Sequence, residues 1–446
     1  MEKDTIVEIE ITDMAEDGSG IGRSGGYILF VKDSVIGDRI RAKVIKDKKS
    51  YGYGRLLEVL KPSEHRVQPL CSVAGPCGGC TLQALSYDKQ LEFKKRRVLD
   101  LLKRIGKTEG FEMLGIAGME EPYYYRNKAQ FPVGRGRDGS IKIGFYAGHS
   151  HSIIEHDECF IENRINAPVT GAVRKWMEAY DVEPYDEKTG SGLVRHIFTR
   201  TGKSGTMVCL VINGKGVPRE KELVSMLSGI PGITGICLNV NRKNTNVILG
   251  GTMKYLWGER FVEDIIGDIK YRISPLSFYQ VNPVQTKVLY DTAREFAAVE
   301  KTDTVLDLYC GIGTIGLYMA RDAGRVIGVE IIEDAVKDAA KNAELNGIDN
   351  AEFFCGKAEE VVPEIMKERR LKADIIIVDP PRKGCDKSLL EWIADTAPRR
   401  LVYISCDPAT LARDVCILKD LGYGVEKVKC VDVFCHSTHV ECVTLR

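Results

Sequence analysis

Thr304-Val305-Leu306-Asp307-Leu308-Tyr309-Cys310-Gly311-Ile312-Gly313-Thr314 reads as a buried strand that runs into a glycine turn and then into a helix. A glycine-rich turn at that place lets the backbone approach a ligand closely. A second apolar strand, residues 325–329, ends in Glu330, where an acid can take the two hydroxyls of a ribose. A lone G-x-G says little, but here strand, turn, helix, strand and acid occur in order. No third glycine is present for a pyrophosphate. The pattern therefore predicts a parallel α/β sheet that holds an adenosyl group rather than a dinucleotide. Glu330 also precedes a predicted helix over residues 331–346, and an acid there favours the helix N-terminus, so both roles are compatible.

The same sheet is expected to extend on both sides of this unit. A helix over residues 283–297 precedes it, and the apolar run 373–378 follows, ending in Asp379-Pro380-Pro381-Arg382. Two prolines at the carboxyl end of a parallel strand stiffen the loop where such sheets bind ligands, which aims Asp379 at the pocket. The next strand, residues 401–404, breaks at Ser405-Cys406-Asp407-Pro408. Asp407 is a good N-cap and Pro408 suits the first helical position, so Cys406 stands at the positive end of a new helix, which favours a thiolate. Asp407 partly opposes that effect. The runs 425–434 and 439–445 read as an antiparallel closing hairpin. Glu441 lies among apolar neighbours in the second run, where a carboxylate must be exposed, paired or functional. If buried, its pKa rises towards that of a general base.

The N-terminal half reads differently. Residues 5–60 hold short alternating runs, 6–11, 27–31, 39–44 and 54–59, separated by Gly- or Asp-rich turns, which is a small β-barrel pattern. With Gly18-Ser19-Gly20-Ile21-Gly22-Arg23 and Val35-Ile36-Gly37-Asp38 it resembles the TRAM module, an OB-like RNA-binding barrel. Tyr51, Tyr53 and a basic stretch from Arg39 to Lys61 suit single-stranded or structured RNA. Cys71, Cys77 and Cys80, with Cys159 far downstream, form a C-x5-C-x2-C plus one pattern among Gly75, Pro76, Gly78 and Gly79. Three thiolates on one loop suit an iron-sulfur cluster. Zinc is the alternative, because His149, His151 and His156 lie beside Cys159. From there to about residue 270 the chain reads as mixed α/β, with strands near 128–133, 196–200, 207–212 and 235–240.

With 446 residues the chain is too long for one ordinary core, and three domains are expected: residues 1–62, 63–270 and 271–446. The formal net charge is zero, which by itself points to no polyanionic partner. No apolar run is long enough to span a bilayer and the N-terminus is no signal peptide, so a cytoplasmic protein without a membrane partner is expected. In that compartment clustered cysteines point to metal or catalysis.

Taken together, a thiol, a methyl-donor pocket and a carboxylate define one reaction, methylation of uracil carbon 5 through a thiolate adduct at carbon 6. Gln280 in Phe278-Tyr279-Gln280-Val281-Asn282-Pro283, the 307–314 turn, residues 379–382, the stretch from Ser405 to Asp414 and the 439–441 ending resemble the RNA 5-methyluridine methyltransferase family. The barrel and cysteine loop extend the resemblance over nearly the whole chain. The resemblance implies a class I, Rossmann-like methyltransferase sheet and S-adenosylmethionine as methyl donor. It implies Cys406 as nucleophile and Glu441 as base, with Gln280, Tyr309, Glu330 and Asp379 holding the cofactor. It also implies a 4Fe-4S cluster on Cys71, Cys77, Cys80 and Cys159, a helix over 88–107 packed on the catalytic domain, and a monomeric enzyme. The barrel and cysteine loop together resemble the 23S ribosomal RNA members more than the transfer-RNA members. A transfer-RNA uridine-5-methyltransferase, a cytosine methyltransferase and a non-catalytic iron-sulfur RNA-binding protein are the alternatives. Two residues depart from the family pattern: Asp407 stands where asparagine is common, and Val433-Phe434-Cys435 where Met-Phe-Pro is common.

Overall fold

Alternation of buried and exposed positions closes the N-terminal strands into a barrel. The computed structural model describes residues 2–148 and 150–446, and the chain divides into two compact units, residues 1–96, 144–156 and 434–439 in one and 97–143, 157–433 and 440–446 in the other. In the first unit β1 (Ile6–Met14), β2 (Gly20–Ser24), β3 (Tyr27–Val31), β4 (Arg39–Asp47) and β5 (Tyr51–Lys61) form a closed barrel in the order β1-β2-β3-β5-β4. Ile9, Ile11, Leu29, Val31, Ile40, Ala42 and Val44 fill it from every second position. The glycine-rich segment expected as a turn is instead largely strand β2. A Cβ on Gly22 would stand 2.8 Å from Glu10 O and Ile9 Cδ1, and one on Gly20 would strike Ser34. These glycines serve close packing at a barrel corner, not chain reversal. A second small core, Met14, Val35, Leu82, Leu85 and Phe93, includes the start of α1 (Tyr87–Arg104).

In the second unit the later part of α1 contributes Val98 and Leu102 to the main core. After β6 (Glu112–Ala117) come β7 (Lys128–Arg135), β8 (Ile141–Tyr146), β9 (Ile153–Glu155), α2 (Asn166–Ala179), β10 (Val194–Gly202), β11 (Gly205–Ile212), α3 (Glu220–Ser228), β12 (Ile233–Val240) and β13 (Thr252–Gly258). Strands β13-β12-β11-β10-β7-β8 lie side by side in that order, and the end of β8, within the first unit, pairs with β9. A hairpin of β14 (Val262–Ile266) and β15 (Ile269–Ile273) follows.

The remaining elements are α4 (Pro283–Ala297), β16 (Thr304–Leu308), α5 (Thr314–Ala320), β17 (Arg325–Glu330), α6 (Glu333–Leu345), β18 (Ala351–Cys355), α7 (Ala358–Glu368), β19 (Ile375–Val378), α8 (Lys387–Thr396), β20 (Arg400–Ser405), α9 (Pro408–Asp420), β21 (Lys427–Val431) and β22 (Glu441–Leu445). They build an eight-stranded sheet in the order β18-β17-β16-β19-β20-β22-β21-β6. The α/β class and the barrel are as expected, and so is the antiparallel closing hairpin β21/β22. Strand β6 at the sheet edge was not expected in this sheet. Its partner β21 is some three hundred residues away in sequence, and local periodicity carries no trace of such pairing. The chain moves outward from β16 to β18, then returns to β19 on the other side. Strand order therefore reverses between β16 and β19, the switch point where open α/β sheets bind ligands.

Candidate active site

The turn after β16 is built by backbone that only glycine adopts freely. Gly311 and Gly313 have φ of 55° and 79°, and Tyr309 has φ of 68°. A Cβ on Gly311 would meet nothing within 4 Å, so the turn is open on its outer side. Glu330, at the end of β17, closes the turn from below: its Oε2 accepts from Gly311 N at 3.1 Å and its Oε1 from Ile332 N at 2.9 Å. Helix α6 starts only at Glu333 and its N-cap Ile332 has no side-chain cap, so Glu330 ties strand to turn ahead of the helix. Beside it Ile331 and Ile332 leave large apolar side chains exposed.

Asp307 and Asp379 flank the switch point from β16 and from the end of β19. Asp307 is 0 % exposed; Oδ2 accepts from Gly316 N at 2.6 Å, while Oδ1 is buried without a partner. Burial, with some help from Glu330 and against the Gly316 N–H, pushes its pKa up to about 7. Burial and then the Asp307 charge push Asp379 up to about 7. Tyr309 is half-buried, and burial and the Cys385 thiol raise its phenol further. Gln280 is buried in the segment before α4, whose N-cap Asn282 accepts from Gln285 N at 3.1 Å and donates to Val433 O at 3.1 Å. Asn127, immediately before β7, donates to Gln280 O at 2.9 Å, and Phe278, two residues before Gln280, is 68 % exposed.

Cys406 and Glu441 come together through strand register. Ser405 of β20 pairs with Cys442 of β22, so Cys406 and Glu441 adjoin the last pair of this ladder, and the Glu441 charge reaches the Cys406 thiol. Asp407 caps α9 as expected, accepting from Ala409 N at 3.0 Å and Thr410 N at 3.1 Å. Glu441 opens β22 rather than lying within it, and β22 is flanked by β20 and β21. Of the possibilities left by the sequence, exposure is excluded: Glu441 is 2 % exposed and its Oε2 has no partner. Burial first, then the Asp379 charge, raise its pKa well above the usual carboxylate value, and Arg382 opposes them.

The Cys406 thiol is not the ready thiolate that the helix end suggested. Burial, then Glu441 and Asp379, push it up to about 12; Arg382 acts against them and Asp407 with them. A half-buried thiol beside three acids keeps its proton, because removing it would add another negative charge to an acidic recess. Asp307 and Arg382 belong to this group although neither stood out as a site residue in the sequence. The signal for Asp307 was a carboxylate between two leucines of a buried strand.

These residues fit a bound S-adenosylmethionine. An open glycine turn, an acid at the end of the second strand, exposed isoleucines beside it and an orphaned Asp307 oxygen match the ribose, the base and the cationic groups of that ligand. Its positive charges would also relieve the crowded carboxylates.

The cysteine loop is less complete. Cys71 and Cys77 are thiols close enough for their charges to interact, burial raises the Cys77 pKa, and Gly79 N donates to Cys77 Sγ at 3.4 Å. Cys80 and Cys159 are half-buried, and Cys159 belongs to the other compact unit. Among the described residues no group of three or more His, Cys, Asp or Glu is gathered to hold a metal ion. No reaction step is routed through these four cysteines. His149, counted for zinc, lies outside the described residues. His151 and His156 stack on Tyr146 and Phe145 at 4.8 and 5.3 Å between ring centres. No helix among the described residues is long and apolar enough to cross a membrane.

Comparison with known proteins agrees with this geometry. Residues 250–446 match the tRNA (Uracil-5-)-methyltransferase family and residues 3–57 the TRAM domain. An uncharacterized RNA methyltransferase of Clostridium acetobutylicum is 46 % identical over 450 residues, covering 100 % of this chain and 97 % of that protein. One of Halalkalibacterium halodurans is 47 % identical over 446 residues, covering 99 % and 97 %. The crystal structure of the Pyrococcus abyssi tRNA (uracil-54, C5)-methyltransferase in complex with S-adenosyl-L-homocysteine superposes with a TM-score of 0.80 at 28 % identity, covering 98 % of this chain and 100 % of that one. The chain thus belongs to the S-adenosylmethionine-dependent RNA (uracil-5-)-methyltransferase family and carries its TRAM domain.

Proposed function

We propose that the chain methylates carbon 5 of uridine in 23S ribosomal RNA through a covalent adduct with Cys406, and that Glu441 is the base. The observation that carries this reading is the ladder whose last pair, Ser405 with Cys442, adjoins both a half-buried thiol and a buried, partly unpartnered carboxylate. Cys406 loses its proton to solvent, which leaves Glu441 unprotonated for the later step, and its sulfur adds to carbon 6, which places an electron pair at carbon 5. Bound S-adenosylmethionine supplies an electrophilic methyl group. Glu441 then takes the proton from carbon 5; that electron pair re-forms the 5,6 double bond and expels the Cys406 sulfur. Gln280, Tyr309, Glu330 and Asp379 hold the cofactor at the switch point. A cytosine methyltransferase would instead deliver the methyl group to cytidine. The decisive test of the adduct is RNA carrying 5-fluorouridine. A labelled complex that depends on the cofactor and survives denaturation is expected; its absence when the RNA is bound would favour a non-catalytic RNA-binding protein.

Ribosomal RNA is favoured by the barrel together with the cysteine loop. A second reading, transfer RNA, is favoured by full-length likeness to the Pyrococcus abyssi enzyme, named for that substrate. Mass-spectrometric mapping of methyl groups lost from ribosomal and transfer RNA in a deletion strain separates them. On the barrel, Phe30, Tyr51 and Tyr53 form an aromatic group with ring centres 5.7 to 6.0 Å apart, and Lys46 lies 5.9 Å from the Tyr53 ring. A base can stack on Tyr53, so Tyr53→Ala is expected to weaken RNA binding by about 1–3 kcal/mol in filter-binding assays, with cofactor affinity unchanged.

We further propose that Cys71, Cys77, Cys80 and Cys159 hold a 4Fe-4S cluster, and that the protein acts as a monomer. The spacing supports the cluster, as does the Gly79 N–H aimed at a cysteine sulfur. Anaerobic purification is expected to yield about four iron and four sulfide per chain. Stoichiometric zinc without sulfide would replace the cluster by zinc.

A further inference from the structure

The motif that begins at the nucleophile ends in Arg413 and Asp414, two residues that the reaction above does not use. Asp414 lies on α9, wholly buried, and both its oxygens are engaged. Its Oδ2 accepts from Cys385 N at 2.9 Å and from the Tyr403 hydroxyl at 2.7 Å. Its Oδ1 accepts from Arg413 Nε at 2.8 Å and Nη2 at 2.6 Å. Arg413 Nη2 also donates to Lys383 O at 2.8 Å, and Thr410 Oγ1 donates to Arg382 O at 2.9 Å.

Helix α9 therefore holds the loop 382–385 at every residue. Arg382, Lys383 and Cys385 are bonded to it, and Gly384 packs against it. Gly384 has φ of 79°, its N donates to Pro381 O at 2.8 Å, and a Cβ there would run into Asp414 Oδ2, Arg413 Nη2 and Thr410 Cγ2. A buried carboxylate is costly unless its lone pairs are satisfied, and Asp414 is satisfied by the loop's Cys385 N together with Tyr403 and Arg413, which ties the loop to α9. The same helix begins at the Asp407 cap directly after Cys406. One rigid element thus carries the thiol at its start and grips the loop of the opposing cation along its first two turns.

We propose that Asp414, with Arg413 and Thr410, is a positioning residue for methyl transfer: it clamps the 382–385 loop to α9, the helix that follows Cys406, and so fixes the backbone that carries the Arg382 charge relative to the thiol. The exposed Arg382 side chain, whose backbone carbonyl α9 holds, carries the positive charge that opposes the acids around both groups. The inference rests on the reading of Cys406 as the nucleophile.

The test is the rate at which iodoacetamide alkylates Cys406 in the full-length protein without RNA, followed by peptide-resolved mass spectrometry. Arg382→Gln is expected to slow alkylation about tenfold and Asp414→Asn roughly threefold to tenfold, since the thiolate is the reacting form. Thr410→Val, which removes one bond outside the buried carboxylate, is expected to slow it about twofold and keeps the test decisive if Asp414→Asn does not fold. Arg382→Gln combined with Thr410→Val, or with Asp414→Asn if that variant folds, should be no slower than Arg382→Gln alone. A lower melting temperature with an unchanged alkylation rate in the clamp variants would reduce the clamp to a structural feature and overturn the proposal. Multiplying effects in the double variant would also overturn it. Alkylation requires neither RNA nor methyl transfer, so failure to trap an RNA adduct would count against the nucleophile reading without deciding this measurement.

Discussion

Replacing Cys406 by alanine is expected to reduce methylation by roughly 10⁴-fold or more and to abolish the covalent complex with 5-fluorouridine RNA. The loss should fall on kcat. Binding of S-adenosylhomocysteine, measured by calorimetry, should be unchanged or slightly tighter. Glu330, Gly311 and Asp307, which are proposed to face the cofactor, are fixed by bonds that do not involve the thiol. Removing a group whose ionised form would add to the negative charge at Asp379 and Glu441 leaves the sheet intact. Cys406→Ser should be nearly as inactive, because a hydroxyl in the same acidic recess is harder still to ionise. Retention of methylation in Cys406→Ala would exclude the adduct and leave only the fold and the cofactor in common with the family.

Glu441→Gln should separate the two halves of the reaction. Addition and methyl transfer need no base at carbon 5, but release does, so one methyl per enzyme is expected to accumulate on RNA that stays attached to Cys406. Multiple turnover should fall by about 10²- to 10⁴-fold. Gel shift under denaturing conditions with labelled methyl donor reads both outcomes. The same substitution tests the electrostatics. The Glu441 pKa is raised well above 4.5, so the native state holds a proton that the unfolded chain has lost above that pH. Stability therefore falls as pH rises from about 4.5 towards the folded value, and glutamine removes that penalty. The melting temperature of Glu441→Gln should exceed that of the wild type at neutral pH and converge with it below about pH 4.5. Adduct release in the wild type should quicken with rising pH, since only the carboxylate can accept the proton. Free turnover with no trapped RNA in Glu441→Gln would move the base elsewhere, Asp379 being the nearest candidate.

What was legible in the sequence follows from how local each signal is. The strand–turn–helix at 304–314, the acid at 330, the cap at Asp407 and the helix 283–297 depend on neighbours within a few residues, and the structure has them in those places. The glycine-rich segment at Gly20 and Gly22 misled because glycine serves turns and tight packing alike, and only the barrel's curvature shows which is needed. Edge strand β6 and the Asn127 bond to Gln280 join stretches more than a hundred residues apart, beyond any periodicity.

The site divides in the same way. The residue types and their order determined by themselves that a parallel α/β sheet would present a thiol, several acids and an open glycine turn at the carboxyl ends of its strands, because strand ends and turn chemistry are set locally. Only the tertiary structure decided which of them meet. The antiparallel register of β22 against β20 brings Glu441 and Cys406 to the same end of one ladder, the strand reversal between β16 and β19 brings Asp307 to Asp379, and the grip of α9 places the loop of Arg382. It also reversed the expected ionisation of the thiol. A helix end acts on one residue through a few local amides, whereas the proton affinity of Cys406 is a sum over burial and every charge that folding gathers around it.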